Sequence, residues 1–396
     1  MIDELKDGFT TSLIRFRLKR RRIRPEITTV MVILSLATGV LWLSNIRFER
    51  RLEREQARVE GLAELVEEAD RASFTREDFD RARQDLEFVL ADTAKRVRSL
   101  EAAAGARERV IAEAAASIVF IQGSYGFVDP DTDRPLRYFY GQGDRRPLRM
   151  PDGMTMVTIG GGGPIVNIFY TGTGFIVDQQ GLLITNRHVA YPWEFEANAQ
   201  YTLKAGFRAD RGGFVGFLPG VEEHFDLEIV AESDSADVAL LRIARPYAAD
   251  LDAAPFVVPA ALAIAAAEPD PGDEVVVMGY PAGVEALLAR ADPRFAEGLL
   301  ARGPVTFWEV GQALAIGGYI QPLSTQGIIG QVTNSMIVYD AGTGSGGSGG
   351  PVLGLDGAVV AVNTAILEQF SGSNLGVPAR EVLALLAAFS GREQSP

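Results

Sequence analysis

The sequence predicts a mainly β domain preceded by a transmembrane helix and a helical stalk. Residues 27–46 carry no charge, and the stretch after them is rich in Ala, Glu, Arg and Leu. From about residue 116 onward, short apolar runs alternate with glycine-rich turns, a pattern typical of strands. We therefore divide the chain into a basic N-terminus (1–25), a transmembrane helix (26–46), a helical stalk (47–115), a β domain (116–391) and a tail (392–396).

The apolar run from Ile27 to Ile46 is long enough to cross a bilayer. At about 1.5 Å per residue it spans the roughly 30 Å hydrocarbon core. Residues 1–25 contain eight Lys and Arg against three Asp and Glu. The positive-inside rule then predicts a cytoplasmic N-terminus and export of everything after Ile46. A cleaved signal peptide is the alternative, but no small-x-small site follows the run, so we favour an uncleaved anchor.

The stalk has apolar residues at helical spacing. They lie at Leu62, Leu65, Val66, Ala69 and Ala72, and again at Phe79, Ala82, Leu86, Val89, Leu90, Val97, Leu100 and Ala104. Thr75 is placed to cap the second helix. Two arrangements remain open, a coiled-coil-like self-association and a pair of amphipathic helices packed on the β domain.

The amino-acid composition indicates where the protein is located and which partners it can bind. The net charge is −14 although the N-terminus is basic, so the predicted exported part is strongly acidic, which argues against nucleic-acid binding. Cysteine is absent, so the fold contains no disulfides. Only four of the 38 Lys and Arg residues are lysine, as in bacterial proteins of arginine-rich composition. We expect a single-pass protein of the bacterial inner membrane with its β domain in the periplasm or outside the cell.

Ser348 lies in the glycine-rich run 346–350, which apolar strands flank on both sides. A serine hydroxyl needs an imidazole to accept its proton and N–H donors to hold the oxyanion that follows. The glycines allow a sharp turn in which the backbone N–H groups of Gly346 and Ser348 point at one oxygen. A flexible linker is the alternative, but linkers are rarely placed between two strands.

The order of the histidines limits the kind of hydrolase. His188 and His224 are the only two, and both precede Ser348. The run also satisfies the G-x-S-x-G pattern of α/β-hydrolases, whose histidine follows the serine, so that fold is excluded. The remaining possibility is a catalytic triad whose members follow one another along the chain in the order His, Asp, Ser.

His188 is the better candidate base because it follows an apolar strand, whereas His224 lies in a polar stretch and is expected to be a solvated loop residue. Neither belongs to a close-spaced ligand set, so we expect no metal and no cofactor. Asp237 opens an apolar strand between His188 and Ser348 and is the best candidate for the orienting carboxylate.

Five motifs in this order resemble the trypsin-like serine proteases, and most closely their HtrA-type (Deg) branch. They are the sequences at 172–177, 185–189, 237–241, 279–283 and 347–351. The resemblance covers about 116–390 and implies two antiparallel six-stranded β-barrels with the active site between them. It implies that His188 is the general base, Asp237 its orienting carboxylate, Ser348 the nucleophile, and the amides of Gly346 and Ser348 the oxyanion hole.

The chain departs from the family pattern in three ways. Gly347 replaces the usual Asn or Asp before the nucleophile, and because glycines lose more entropy on ordering, we hypothesise that the oxyanion hole forms only with substrate or an activator. After a predicted closing strand at 374–378 and a helix at 379–389, only seven residues remain, so we expect no PDZ domain. A Gly/Pro/Arg-rich insertion separates strands predicted near residues 120 and 168, and its glycines at 160–163 are expected to form a hinge.

The expected function is a membrane-anchored serine endopeptidase that cleaves unfolded or envelope proteins. The acidic residue that selects basic side chains in trypsin-like enzymes would lie six positions before Ser348, where this chain has Gly342, so a small or medium apolar residue is expected at the cleavage position. A catalytically silent scaffold that binds a partner at the membrane, and an esterase, are the alternatives. The resemblance also allows a homo-oligomer, because the family often forms trimers.

Overall fold

The computed structural model describes residues 105–141, 146–149, 155–244, 257–301, 303–366 and 373–393, together with seven positions between residues 83 and 93. The chain divides into two compact units, residues 1–95 and 96–396. Both β-barrels described below belong to the second unit.

The first barrel is closed by six strands. Their order around the barrel is β1, β4, β5, β8, β7, β6, and neighbours pair antiparallel. The strands are β1 (Ile118–Val128), β4 (Ile168–Ile176), β5 (Leu182–Thr185), β6 (Arg208–Phe217), β7 (Phe225–Glu232) and β8 (Ala239–Ile243).

The second barrel repeats this architecture. Its order is β10, β11, β14, β13, β12, β9, again with antiparallel neighbours. The strands are β9 (Glu274–Gly279), β10 (Leu323–Val332), β11 (Ile337–Tyr339), β12 (Pro351–Gly354), β13 (Val359–Ile366) and β14 (Asn374–Pro378). The prediction of two antiparallel six-stranded barrels is therefore confirmed.

The apolar strands form two kinds of core because successive side chains of a strand point to opposite faces. On β1, Val119 and Ile121 pack in a cluster made only of first-barrel residues. Ile118 and Phe120 pack instead in a cluster that contains residues of both barrels, where the Phe120 ring lies 5.1 Å from that of Tyr280. The side chains of these four residues are fully buried. The side chains of this one strand thus contribute both to the core of the first barrel and to the contact between the two barrels.

Six α-helices follow β1 in the described part of the chain. They are α1 (Arg187–Ala190), α2 (Ala197–Lys204), α3 (Gly283–Arg290), α4 (Pro293–Leu300), α5 (Phe307–Ile316) and α6 (Ala379–Glu393). The predicted closing strand and C-terminal helix correspond to β14 and α6. The predicted insertion before β4 contains a small two-stranded sheet, β2 (Arg137–Tyr138) and β3 (Val157–Thr158), and its glycines at 160–163 form a bend.

Helices α3 to α5 form an insertion between β9 and β10 that the sequence analysis did not predict. Helix α5 begins with a capping box, in which Thr306 and Glu309 satisfy each other's backbone N–H groups. It packs against the first barrel, where Gln122 Nε2 donates to the carbonyl of Phe307 at 3.2 Å and the Phe169 ring lies 4.9 Å from that of Phe307. A helical segment of the second barrel thus contacts the first.

Most of the predicted N-terminal elements lie outside the described residues, including the transmembrane helix over residues 26–46 and most of the stalk. Within the described part, no helix combines the length and apolar character needed to cross a bilayer. Seven stalk positions between 83 and 93 are helical, and so is the stretch 105–114. In that stretch Val110 and Ala114 are buried in the cluster shared by the barrels, as expected for a helix packed on the β domain.

Candidate active site

His188 lies on α1, a single helical turn that follows β5. The side chain of Asn186, immediately before this turn, is fully buried and donates to the backbone carbonyl of Asp237 at 2.7 Å. Arg187 forms ion pairs with Glu194 at 2.8 Å and Glu232 at 3.8 Å. These contacts fix the orientation of the turn on the first barrel. The strand predicted before His188 ends at Thr185, and His188 lies on the helical turn that follows it.

Asp237 lies two residues before β8 and contacts His188 through both of its oxygens. Its Oδ2 is 2.7 Å from His188 Nδ1, and its Oδ1 accepts the backbone N–H of His188 at 2.9 Å. Burial opposes ionisation of this carboxyl, but the hydrogen bonds and charge of His188 and the hydrogen bond of Thr364 outweigh burial and lower the pKa of Asp237. The carboxylate is thus ionised at neutral pH and holds the imidazole by its Nδ1 side.

Thr364 is a further contact of Asp237 that sequence analysis missed. It lies on β13 of the second barrel, its side chain is 8% exposed, and its hydroxyl donates to Asp237 Oδ2. Its backbone carbonyl accepts the hydroxyl of Ser348 at 3.2 Å. Position 364 lies 127 residues from Asp237, so no local pattern could have indicated the contact. Thr364 joins the carboxylate of one barrel to the serine of the other.

Ser348 lies in the loop between β11 and β12 of the second barrel and is partly exposed, whereas its neighbours at 346, 347, 349 and 350 are buried. The loop rests against β4 of the first barrel, where Thr173 donates its backbone N–H to the carbonyl of Ser348 at 2.8 Å. A Cβ at Gly349 would lie 2.0 Å from the carbonyl oxygen of Thr173, so only glycine permits this approach.

The structure brings His188 and Asp237 together directly and connects Ser348 to them through Thr364. The hydroxyl of Ser348 donates to Thr364, and no hydrogen bond joins it to the imidazole of His188 in the described part of the chain. Hydrogen bonds of this kind are often long or poorly aligned without substrate and tighten only when substrate binds.

The backbone amides of Gly346 and Ser348 donate to no acceptor among the described residues, whereas the Gly347 N–H between them donates to the carbonyl of Gly344 at 2.8 Å. Gly346 has φ of +88°, a left-handed conformation that favours glycine. Two N–H groups of one tight loop that have no acceptor are a suitable site for an oxyanion.

His224 is exposed and lies in the loop before β7. Its Nδ1 is 2.9 Å from Gln312 Oε1 of helix α5, so it belongs to the contact between the insertion and the first barrel. Among the described residues, no cluster of three or more His, Asp or Glu side chains is arranged to hold a metal ion.

Residues 172–362, which include His188, Asp237 and Ser348, match the family described as trypsin-like peptidase domain. The chain contains a trypsin-like peptidase domain.

Relatives of this peptidase domain include HtrA-type serine proteases. Serine protease HTRA1B of Danio rerio is 26% identical over 223 residues, which cover 56% of this chain and 36% of the relative. The putative serine protease HhoA of Synechocystis is 24% identical over 54% of this chain and 41% of the relative. The magnetosome formation protease MamE of Magnetospirillum gryphiswaldense is 27% identical over 53% of this chain and 21% of its own length. The chain thus spans well under half of the length of these relatives.

The solved structures that align with this chain have low sequence identity to it. The active form of the Rv3671c protease from M. tuberculosis aligns with a TM-score of 0.39 and 19% identity, covering 70% of this chain and 82% of that chain. A serine endoprotease from Yersinia pestis aligns with a TM-score of 0.38 and 15% identity, covering 71% and 65%.

The contact between Thr364 and Asp237 predicts a pH-dependent stability difference. Because the folded-state pKa of Asp237 is lowered, its ionised form stabilises the fold above pH about 4 and this stabilisation is lost as the pH falls through the folded-state pKa. Replacing Thr364→Val removes one donor, so we expect the free energy of unfolding at pH 7 to fall by about 1–3 kcal/mol. The difference from wild type should narrow as the pH falls below 4.

Urea unfolding between pH 3 and pH 8 measures this difference. Thr325→Val is the matched control, because the Thr325 hydroxyl donates to a neutral carbonyl, that of Gly342. Its effect should not depend on pH. If Thr364→Val lowers the free energy of unfolding equally at pH 3 and pH 7, its hydroxyl does not stabilise the ionised form of Asp237.

Proposed function

We propose that this chain is a membrane-anchored serine endopeptidase that cleaves unfolded or envelope proteins through His188, Asp237 and Ser348. The observation that carries the proposal is the His188–Asp237 contact of 2.7 Å in one barrel, facing across the crevice a serine with two unengaged amides beside it. These are the groups that acyl transfer requires, a base with its orienting carboxylate, a nucleophile and oxyanion donors.

In the proposed reaction, the hydroxyl of Ser348 turns from the carbonyl of Thr364 toward His188. Nδ1 of the imidazole is held by Asp237, so Nε2 accepts the hydroxyl proton while Oγ bonds to the peptide carbonyl carbon. The carbonyl oxygen becomes an oxyanion and accepts hydrogen bonds from the amides of Gly346 and Ser348. As the C–N bond breaks, His188 returns the proton to the leaving amine, and water then hydrolyses the acyl-enzyme by the same proton transfers.

The pocket for the substrate side chain is expected to take a small or medium apolar residue. Gly342 brings no charged side chain to the position that selects basic residues in trypsin-like enzymes, and a Cβ built on it would meet no atom within 4 Å. We propose that the substrate occupies this open space and that no cofactor or metal takes part.

A catalytically silent scaffold is the second candidate, because the Ser348 hydroxyl donates to the carbonyl of Thr364 rather than to the imidazole. In a silent scaffold this arrangement would persist when substrate binds. In an enzyme it would give way to a bond between Ser348 and His188.

Hydrolysis of an unfolded casein-like substrate distinguishes the two candidates. We expect the wild type to cleave it and to react with a fluorophosphonate probe, and Ser348→Ala to lose both activities, with kcat reduced by roughly 10⁶-fold. Mass spectrometry of the products should show cleavage after small or medium apolar residues. The measurement is the rate of product formation together with probe labelling.

Ser345→Ala is the matched control, because Ser345 lies in the same loop with an exposed side chain. It should keep both activities. Wild-type protein that neither labels nor cleaves would support the scaffold and end the proposal of a peptidase. Cleavage after arginine or lysine would contradict the proposed pocket alone.

The apolar run from Ile27 to Ile46 is the proposed membrane anchor, with the basic residues before it in the cytoplasm. On this proposal the peptidase domain faces the periplasm or cell exterior of a bacterium, and the substrates are envelope proteins.

An alkaline phosphatase fused after residue 60 tests this topology, because that reporter is active only after export. We expect activity in the full-length fusion and loss of membrane association when residues 1–46 are deleted. Sequencing the N-terminus of the membrane-bound protein should find residues before Ile27 retained. An inactive reporter would contradict export, and a mature N-terminus after residue 46 would contradict an uncleaved anchor.

A further inference from the structure

Asn363 is a buried polar side chain, 2% exposed, that lies beside Thr364 on β13. Its Nδ2 donates to the carbonyl of Gly347 at 2.7 Å and to the hydroxyl of Thr343 at 2.9 Å. Its Oδ1 accepts the hydroxyl of Tyr339, which is 1% exposed. Both N–H groups and the oxygen of this amide therefore have partners, and these partners determine which end of the amide faces the loop.

The backbone of Asn363 binds the same loop. Its N–H donates to the carbonyl of Gly350 at 2.8 Å, and its carbonyl accepts the N–H of Gly349 at 2.8 Å. A single residue thus contacts the loop on both sides of Ser348. Four of the five hydrogen bonds of Asn363 are to residues of this loop, and this arrangement favours a role in the geometry of the loop.

The carbonyl of Gly347 determines where the N–H of Ser348 points, and the bond from Asn363 is the shorter of the two that hold this carbonyl. A trans peptide is planar, and its C=O and N–H point in opposite directions. Holding the Gly347 oxygen against Asn363 therefore directs the Ser348 N–H away from Asn363, and this N–H has no acceptor among the described residues. Rotation of this one peptide would replace an oxyanion donor by a carbonyl oxygen.

The second donor is fixed in the same way by a different group. The carbonyl of Ser345 accepts the N–H of Ala282 at 2.5 Å, which directs the Gly346 N–H to the other side of that peptide. Both peptides that supply the candidate oxyanion hole are thus held by their carbonyl oxygens. The Ala282 N–H holds the first, and Asn363 Nδ2 at 2.7 Å holds the second together with the longer bond from the Gly350 N–H at 3.1 Å.

Gly347 has no side chain that could take over this role. A Cβ built on it would lie 2.5 Å from the hydroxyl oxygen of Thr343 and 3.3 Å from Nδ2 of Asn363. Gly347 therefore packs directly on the Asn363–Thr343 pair. These hydrogen bonds also oppose the entropy loss on which the predicted need for an activator rests.

We propose that Asn363 is a positioning residue of the oxyanion hole, whose amide, oriented by Tyr339, holds the Gly347–Ser348 peptide so that the Ser348 N–H faces the developing negative charge. This inference rests on the proposed peptidase function. It assigns to Asn363 an effect on the transition state and none on the binding of the uncleaved peptide.

Replacing Asn363→Asp tests the proposal, because it exchanges the donor for an oxygen of nearly the same size. We expect kcat to fall by about 10²–10³-fold, as when one oxyanion donor is lost, while KM changes less than about threefold. The inhibition constant of a peptide aldehyde, whose adduct carries the oxyanion, should rise by a similar factor. The affinity of the uncleaved peptide for Ser348→Ala should not change when Asn363→Asp is added.

Two further variants separate positioning from folding. Tyr339→Phe keeps the asparagine and removes only the hydroxyl that orients it, so kcat should fall by about tenfold with KM unchanged. Asn374→Asp is the matched control, because Asn374 is also buried and its Nδ2 donates to the carbonyl of Ala341, which is outside the proposed hole. It should lower thermal stability without changing the ratio of aldehyde to peptide affinity.

The outcomes distinguish this proposal from the function on which it rests. Suppose that the wild type cleaves peptides and that Asn363→Asp folds. The proposed role of Asn363 is then wrong if the variant keeps kcat within threefold of the wild type, or if it loses kcat and peptide affinity together. If Asn363→Asp does not fold, unchanged kcat in Tyr339→Phe overturns the proposal. A wild type that cleaves no peptide overturns the peptidase function itself.

Discussion

Hydrogen bonds that cross between the two barrels fix the geometry on which the candidate site depends. Thr173 of the first barrel donates its hydroxyl to the carbonyl of Gly346 at 2.7 Å and its backbone N–H to the carbonyl of Ser348. Thr364 of the second barrel donates in the opposite direction, to Asp237. Because both threonines are buried, leaving any of these groups unpaired would cost about 1–3 kcal/mol. The loop that carries Ser348 is therefore held in place by the need to satisfy buried polar groups.

Apolar burial and these polar contacts contribute differently. Each fully buried side chain such as Phe120 stabilises the fold by about 1.5–3 kcal/mol, whereas a typical hydrogen bond contributes a net 0.5–1.5 kcal/mol. The cluster shared by both barrels contains many apolar side chains, so it supplies most of the free energy that keeps the barrels together. Hydrogen bonds are directional and apolar contacts are not, so the threonines and Asn363 determine how the barrels and their loops are aligned.

The parts of the fold that sequence analysis predicted are those with local signals. Short apolar runs marked strands such as β1 and β13, and the glycines around Ser348 marked a tight loop. The residues that hold the site were missed for the opposite reason. Thr364 and Asn363 look like ordinary strand residues, and their partners lie far away in the sequence, as with Thr364 and Asp237, so only the closed barrels bring them together. The helical insertion α3 to α5 was missed because its short helices have no long apolar period, although Thr306 and Glu309 form a recognisable capping box.

A crystal structure of the protein with a covalent fluorophosphonate on Ser348 tests the central claim most directly. We expect one phosphonyl oxygen to lie about 2.7–3.1 Å from both the Gly346 and the Ser348 backbone nitrogens, with the Gly347 carbonyl still bound to Asn363. We also expect His188 Nε2 to face the bond between Ser348 and phosphorus while its Nδ1 stays hydrogen-bonded to Asp237. An adduct whose oxygen contacts neither amide, or an imidazole turned away from Ser348, would contradict the account.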